Sequence, residues 1–219
     1  MKTLIKWHRN RLLFLTFITL GCDFGDTNVD PTSLPDVQVS QLLPIAEAQT
    51  IRNLGSISAR LSGTMIQHFK GVEGVSEAHN DYLIDEQAMD TYWRTGLYAA
   101  AMRDCHIIIQ KSEQAPHYAG IAKILMAVNL GITTSFWGDV PFSQAFVEDH
   151  YLPTYDLQSS IYAQIQQLLD DAIVHLSADV PGQSLDRFDL IFKGNAVYWA
   201  KTARALKARY LLHLSKRDP

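Results

Sequence analysis

From about residue 41 onward, apolar side chains recur every three or four positions, the period of a helix with one buried face. No stretch keeps the period of two that a half-buried strand requires, so the pattern predicts an all-α chain. Gln41 to Lys70 reads as helical, with a break near Gly55, and ends in the turn-prone Gly71-Val72-Glu73-Gly74. Asp85 to Glu113 places Trp93, Leu97, Ala101, Cys105 and Ile108 on one face. Tyr118 to Ser135 is apolar on nearly every side, which predicts a central helix covered by its neighbours. A fourth helix starts near Asp156, a good cap residue, and carries Leu157, Ile161, Ile165, Leu168, Ala172 and Leu176 on one stripe. Pro181 and Gly182 stop it. The fifth runs from about Asn195 to Ser215, with Trp199, Ala203, Leu206, Tyr210 and Leu214 inward and Lys201, Arg204 and Lys207 in water. Paired amphipathic helices on modest loops predict an irregular helical bundle with tetratricopeptide-like helix pairs.

The first 40 residues follow a different pattern. Residues 1–21 have a basic start, an apolar core from Leu12 to Leu20 and a small residue, Gly21, before Cys22, which is the layout of an export signal. The core is too short to cross a bilayer, since a spanning helix needs about 20 apolar residues. Residues 22–40 then turn acidic and turn-prone, with Asp23, Gly25, Asp26, Asn28, Asp30, Pro31 and Pro35, a composition suited to a flexible tether, and leave 41–219 as the folded domain. Charge follows the same division. All four cations before Cys22 stand without an acid, so the remainder carries 15 Lys and Arg against 23 Asp and Glu. A balance of −8 argues against nucleic acid as a partner, because phosphate binding needs clustered positive charge. With hydrophobic residues at 47% of 219 positions, there is ample material for a core.

Catalytic patterns are scarce. No HExxH, GxSxG, GxxxxGK[ST], GxGxxG or CxxC occurs, which removes the usual sequence support for zinc peptidases, serine hydrolases, P-loop enzymes and Rossmann dehydrogenases. The expectation is a protein that is not an enzyme and holds no cofactor. Asp171 and His175 stand four apart on the fourth helix, the spacing of a surface pair as much as of two metal ligands, and no further ligand is apparent. Cys105 fits a small buried hydrophobe. The supply of 22 aromatic residues is more suggestive, because sugars stack their C–H faces on rings while amides and carboxylates take the hydroxyls. Asn80, Asp81, Tyr82, Tyr92 and Trp93 form the candidate platform. Asn80 and Asp81, with His79, sit in an expected loop and also suit a plain Asx turn, and the spacing of Trp93 also suits the core.

Three ordered stretches resemble the SusD/RagB-like family of outer-membrane lipoproteins. Asp26-Thr-Asn-Val-Asp-Pro31 followed by Leu42-Leu-Pro-Ile-Ala-Glu-Ala-Gln49 is similar to the family's opening. Phe136-Trp-Gly-Asp-Val-Pro-Phe-Ser-Gln-Ala-Phe146 resembles its Trp-Gly-Asp-Val-Pro turn, and Trp199 to Ser215 resembles a later helix. In physical terms, Gly138 ends the central helix, Asp139 is placed to accept amides of the turn, and Pro141 stops the helix resuming. Leu20-Gly21-Cys22 resembles a lipobox, although Thr19 stands where Leu is preferred, and the acids behind Cys22 resemble a surface-export signal. The resemblance implies acylation of Cys22, an outer-membrane location facing the cell exterior, and work beside a TonB-dependent (SusC-like) transporter. It also implies non-hydrolytic binding of an oligosaccharide or related nutrient. The alternative from another class is a helical-repeat adaptor lipoprotein that binds protein alone.

Family members extend well past a helix like the fifth one here. The resemblance therefore implies a domain incomplete at its C-terminus, with the stripe containing Trp199 and Tyr210 partly uncovered and prone to association.

Overall fold

The computed structural model describes residues 37–85, 87–181 and 185–216. The signal, Cys22 and most of the expected tether lie outside them. Among the described residues seven α-helices and one π-helix follow in order: α1 Val39–Gly55, α2 Ile57–Met65, α3 Gly74–Asn80, the π-helix Tyr92–Met102, α4 Arg103–Lys111, α5 Pro116–Trp137, α6 Gln158–Leu176 and α7 Ala196–Leu214. Among the described residues the only β pairing is an isolated bridge between Val140 and Asp156. The chain is all-α, a bundle with tetratricopeptide-like helix pairs, as the pattern predicts.

The centre is α5, which packs against α1, the π-helix, α4, α6 and α7. Pro116 starts it, at the first helical position where no amide is lost. By length and composition this helix would cross a bilayer, yet 72% of its apolar window is buried in the bundle, so its greasiness serves the core. Gly131 gives α5 a slot into which the Tyr210 ring of α7 fits, where any Cβ would strike that ring. Of the stripe expected to be partly uncovered, Tyr210 is 4% exposed and Trp199 2% exposed, while Leu206 and Leu214 are half-buried. The turn before α7 supplies the cover: Phe192 packs edge-on against Trp199 at 5.1 Å, and the Asp189 carboxylate accepts the indole N–H at 2.7 Å. What α7 leaves in solvent is Val197, Tyr198, Leu211 and Leu212.

The break at Gly55 has a local cause. The Asn53 carbonyl, freed where α1 ends, accepts both the Ser58 hydroxyl and the Tyr92 hydroxyl, the latter at 2.8 Å. A second polar knot lies inside the core. Asn129 of α5 donates to Thr50 at 2.8 Å and accepts from Asn53 at 2.8 Å, and Asn53 also donates to the Gly96 carbonyl at 2.9 Å. It joins α1, α5 and the π-helix through fully satisfied groups, the form in which buried polar residues confer specificity.

Two expected caps are exchanged. Asp156 does not cap α6; its carboxylate accepts the amides of Phe142 and Ser143 at 2.8 Å each and the Ser143 hydroxyl at 2.7 Å. Asp139 does not close its own turn; it accepts the amide of Gln158, the first residue of α6, at 2.8 Å. Asp139 and Asp156 therefore each secure the opposite end of the 139–156 excursion. Gly138, with φ of +75°, makes the exit from α5 that an L side chain resists. On α6 the stripe is centred on Leu169, fully buried, while the expected Leu157 is 62% exposed.

Candidate functional site

The segment expected to be one α-helix from Asp85 becomes regular only near Tyr92, and its first half is a π-helix. A π-helix bonds i to i+5 and winds more slowly than an α-helix, so residues five apart can share a face as well as those four apart. Tyr92, Leu97 and Met102 accordingly lie in the core, at 2%, 0% and 0% exposure. Trp93, placed on the core face by an α-helical reading, is turned to the half-buried edge.

That rotation assembles a run of rings across four segments. Phe136 and Trp137 at the end of α5 are 5.7 Å apart, Trp137 meets Trp93 at 4.8 Å, and Trp93 meets Tyr98 at 4.8 Å. Tyr98 then stacks on Phe146 at 6.3 Å, and Phe146 on His106 at 5.1 Å. Phe136 is exposed, and Trp137, Trp93, Tyr98, Phe146 and His106 are all half-buried, so the run has a solvent-facing edge. Tyr92 supports it from within, stacked on Trp137 at 6.1 Å. Tyr98 is fixed by donating its hydroxyl to the Pro141 carbonyl at 2.7 Å, and burial pushes its phenol well above the ordinary range. Burial also lowers the His106 imidazole, favouring its neutral form.

The run ends at an open cavity of about 340 Å³ lined by Arg103, His106, Ile107, Phe146, Val147 and Glu148. A ring platform leading to a cation and a carboxylate suits a polyhydroxylated ligand, with C–H faces on the rings and hydroxyls on the charged groups. A larger groove of about 470 Å³ lies between α1, α2, α5 and α7, where Leu54, Val128, Ile132 and Leu206 give an aliphatic wall edged by Ser58, Ser62, Ser135, Arg209 and His213, and of the ring run only Phe136 reaches it.

The five sequence candidates separate into two groups. Tyr92 and Trp93 belong to the ring run as described. Asn80 closes the short helix α3, Asp81 is its C-cap and Tyr82 follows with φ of +60°, so the expected loop at His79 and Asn80 is helical instead. Tyr82 donates its hydroxyl to the Met65 carbonyl at 3.2 Å and accepts from Gln67 at 3.1 Å. Neither hydrogen bond nor ring contact joins 80–82 to Tyr92 or Trp93 among the described residues. Tyr98, His106, Phe136 and Phe146 were missed, because their spacing in sequence says nothing until the π-helix and the Trp137 turn bring them together.

Elsewhere, Asp171 is engaged by Lys123 at 2.9 Å and by Gln167 at 2.7 Å, and no group of three potential metal ligands occurs among the described residues. Cys105 is fully buried, and desolvation pushes its thiol far up, so it acts as packing.

Among solved structures the chain is similar to a SusD/RagB family protein from Bacteroides thetaiotaomicron, with 26% identity and a TM-score of 0.75 over 84% of this chain. A protein described as chitin-binding matches at 25% identity and a TM-score of 0.68 over 81% of this chain. A Bacteroidetes SusD-like protein matches at 25% identity and a TM-score of 0.69 over 82%. This chain spans only 39%, 39% and 34% of those three proteins. No protein of curated function matches. Residues 31–219 match the family model SusD-like_2, described as starch-binding and associating with the outer membrane, and the chain belongs to that family.

Proposed function

We propose that this protein is a surface lipoprotein that binds an oligosaccharide or a related nutrient through the aromatic run and passes it, uncleaved, to a TonB-dependent outer-membrane transporter. The observation that carries the binding part is the row Phe136, Trp137, Trp93, Tyr98 and Phe146, which has an open edge and ends beside Arg103 and Glu148. Membership in a family described as starch-binding, and likeness to a chitin-binding protein, support a glycan as the ligand class. Trp93 is the principal stacking ring, Tyr92 its inner support, and Asn80, Asp81 and Tyr82 form a separate polar edge that takes hydroxyls of a longer chain. Cys22 carries the lipid, residues 22–40 tether the domain, and the exterior face of the outer membrane is its place.

Affinity electrophoresis of the full chain through gels containing starch or soluble chitin oligosaccharides tests the binding part. Trp93→Ala should lose retardation, with affinity down by about tenfold or more, the effect of removing one stacked ring. Unchanged retardation removes the run as the site. Absence of retardation on every glycan, together with a stable complex with a barrel transporter, favours the adaptor reading. For the anchor, radiolabelled palmitate should enter the wild type and not Cys22→Ala.

A further inference from the structure

Glu47 on α1 is fully buried. Its Oε2 accepts the Leu190 amide at 2.7 Å, a bond spanning 143 residues of chain, while its Oε1 is buried with no partner. Beside it stands Asp189, also fully buried, which is in a different position. Asp189 Oδ1 accepts the amides of Ile191 and Phe192 at 2.9 Å each, and Oδ2 accepts the Gly194 amide and the Trp199 indole at 2.7 Å each. Two neighbouring carboxyls in a dry interior do not both ionise readily, and the one with more donors keeps the charge. Asp189 has four donors and Glu47 has one.

Burial alone would raise Asp189, but the Trp199 indole and the three turn amides outweigh it and hold the carboxyl below its ordinary value. For Glu47, burial dominates. The Leu190 amide opposes it, the charge of Asp189 adds to it, Lys193 opposes it weakly, and the group is pushed up to about 8. Among the described residues the charged groups that act on Glu47 are Asp189 and Lys193, both on the same turn.

We propose that Glu47 is a proton-operated latch: uncharged, it seats the 185–195 turn on α1, and on losing its proton it releases that turn and frees the start of α7. The release uncovers Trp199, because the turn that donates to Glu47 through Leu190 is the one that grips the indole through Asp189. The sign is fixed by the direction of the shift. A carboxyl raised on folding contributes stability in full below about 4.5 and loses it as pH rises to about 8. The latch depends on the fold alone and is independent of any glycan.

Glu47→Gln keeps a neutral side chain of the same shape at every pH. Hydrogen exchange of the full chain at pH 6 and pH 9, with each rate divided by the intrinsic rate for an unfolded chain, provides the comparison. Protection at 190–192 should fall by about tenfold or more between the two pH values in the wild type and stay level in Glu47→Gln. Equal pH dependence in the two proteins overturns the latch. A carbon-13 titration of the Glu47 carboxyl in the wild type gives a second measurement independent of the variant. A midpoint near 8 agrees with the latch, and one below about 6 overturns it.

Discussion

Adjacent residues Tyr92 and Trp93 do different work, and single substitutions separate them. Tyr92 spends its hydroxyl on the Asn53 carbonyl where α1 breaks, inside the core. Tyr92→Phe removes that bond and keeps the ring, so unfolding should cost about 1 kcal/mol less while glycan retardation matches the wild type. Trp93→Ala should show the opposite emphasis, with affinity lost first. A variant pair in which both change binding equally would contradict this division. Asp156 is a second residue whose role shows only in three dimensions. Burial works to raise its carboxyl, and the donations from Ser143 and Phe142 overcome it and hold it below the ordinary value. A carboxylate lowered on folding contributes stability above about pH 4 that is lost as pH falls through its folded value. Asp156→Asn should therefore destabilise by about 1–2 kcal/mol at pH 7 and leave stability near pH 2 unchanged, as read from fluorescence melts.

At the scale of the element, helix identity and order were legible from periodicity, because the bundle buries one stripe per helix and the central helix on most sides. The π-helix was not. A reading at 3.6 residues per turn cannot see a segment that winds more slowly, and it placed Trp93, Leu97 and Ala101 on one face. The structure keeps Leu97 and Ala101 inside and turns Trp93 outward. The signals were present in Tyr92, Leu97 and Met102, apolar at intervals of five, but such spacing is too rare to be tried first. Caps failed for a related reason: Asp139 and Asp156 are both good cap residues, and only the folded excursion decides which backbone each one meets. Close packing between elements is equally invisible in sequence. Gly131 sits in a helix where alanine would be preferred locally, and it is there because the Tyr210 ring occupies its surface. Gly131→Ala should lower the urea midpoint, costing about 1–3 kcal/mol despite its better helix propensity. An unchanged or raised midpoint would show that α7 can shift without loss.

Over the whole molecule, the resemblance anticipated the family, and the pattern anticipated an all-α bundle. Neither anticipated how α1 is tied to α7 and the turn before it. The Leu190 amide on Glu47 and the Tyr210 ring in the Gly131 slot hold α7 and its preceding turn against α1 and α5. This explains why Trp199 and Tyr210 are covered within the chain itself. The ring run is likewise a product of the whole, since its members come from α4, the π-helix, the end of α5 and the excursion beyond it.

The exchanged acids at the base of that excursion have one more effect. Gln144 accepts the amide and hydroxyl of Thr154 at 3.0 Å each, closing a collar above the two carboxylate anchors. Beyond the collar, Tyr151 and Leu152 stand 84% and 88% exposed. Phe146 ties the near part of this loop to Tyr98 and His106, whereas Tyr151 and Leu152 stand in solvent, and lengthening the loop there adds little closure entropy, about 0.6 kcal/mol for each doubling. A short Gly-Ser insertion after Tyr151 should leave the melting temperature nearly unchanged, which makes this tip a place where related chains can vary in length and sequence without renegotiating the core.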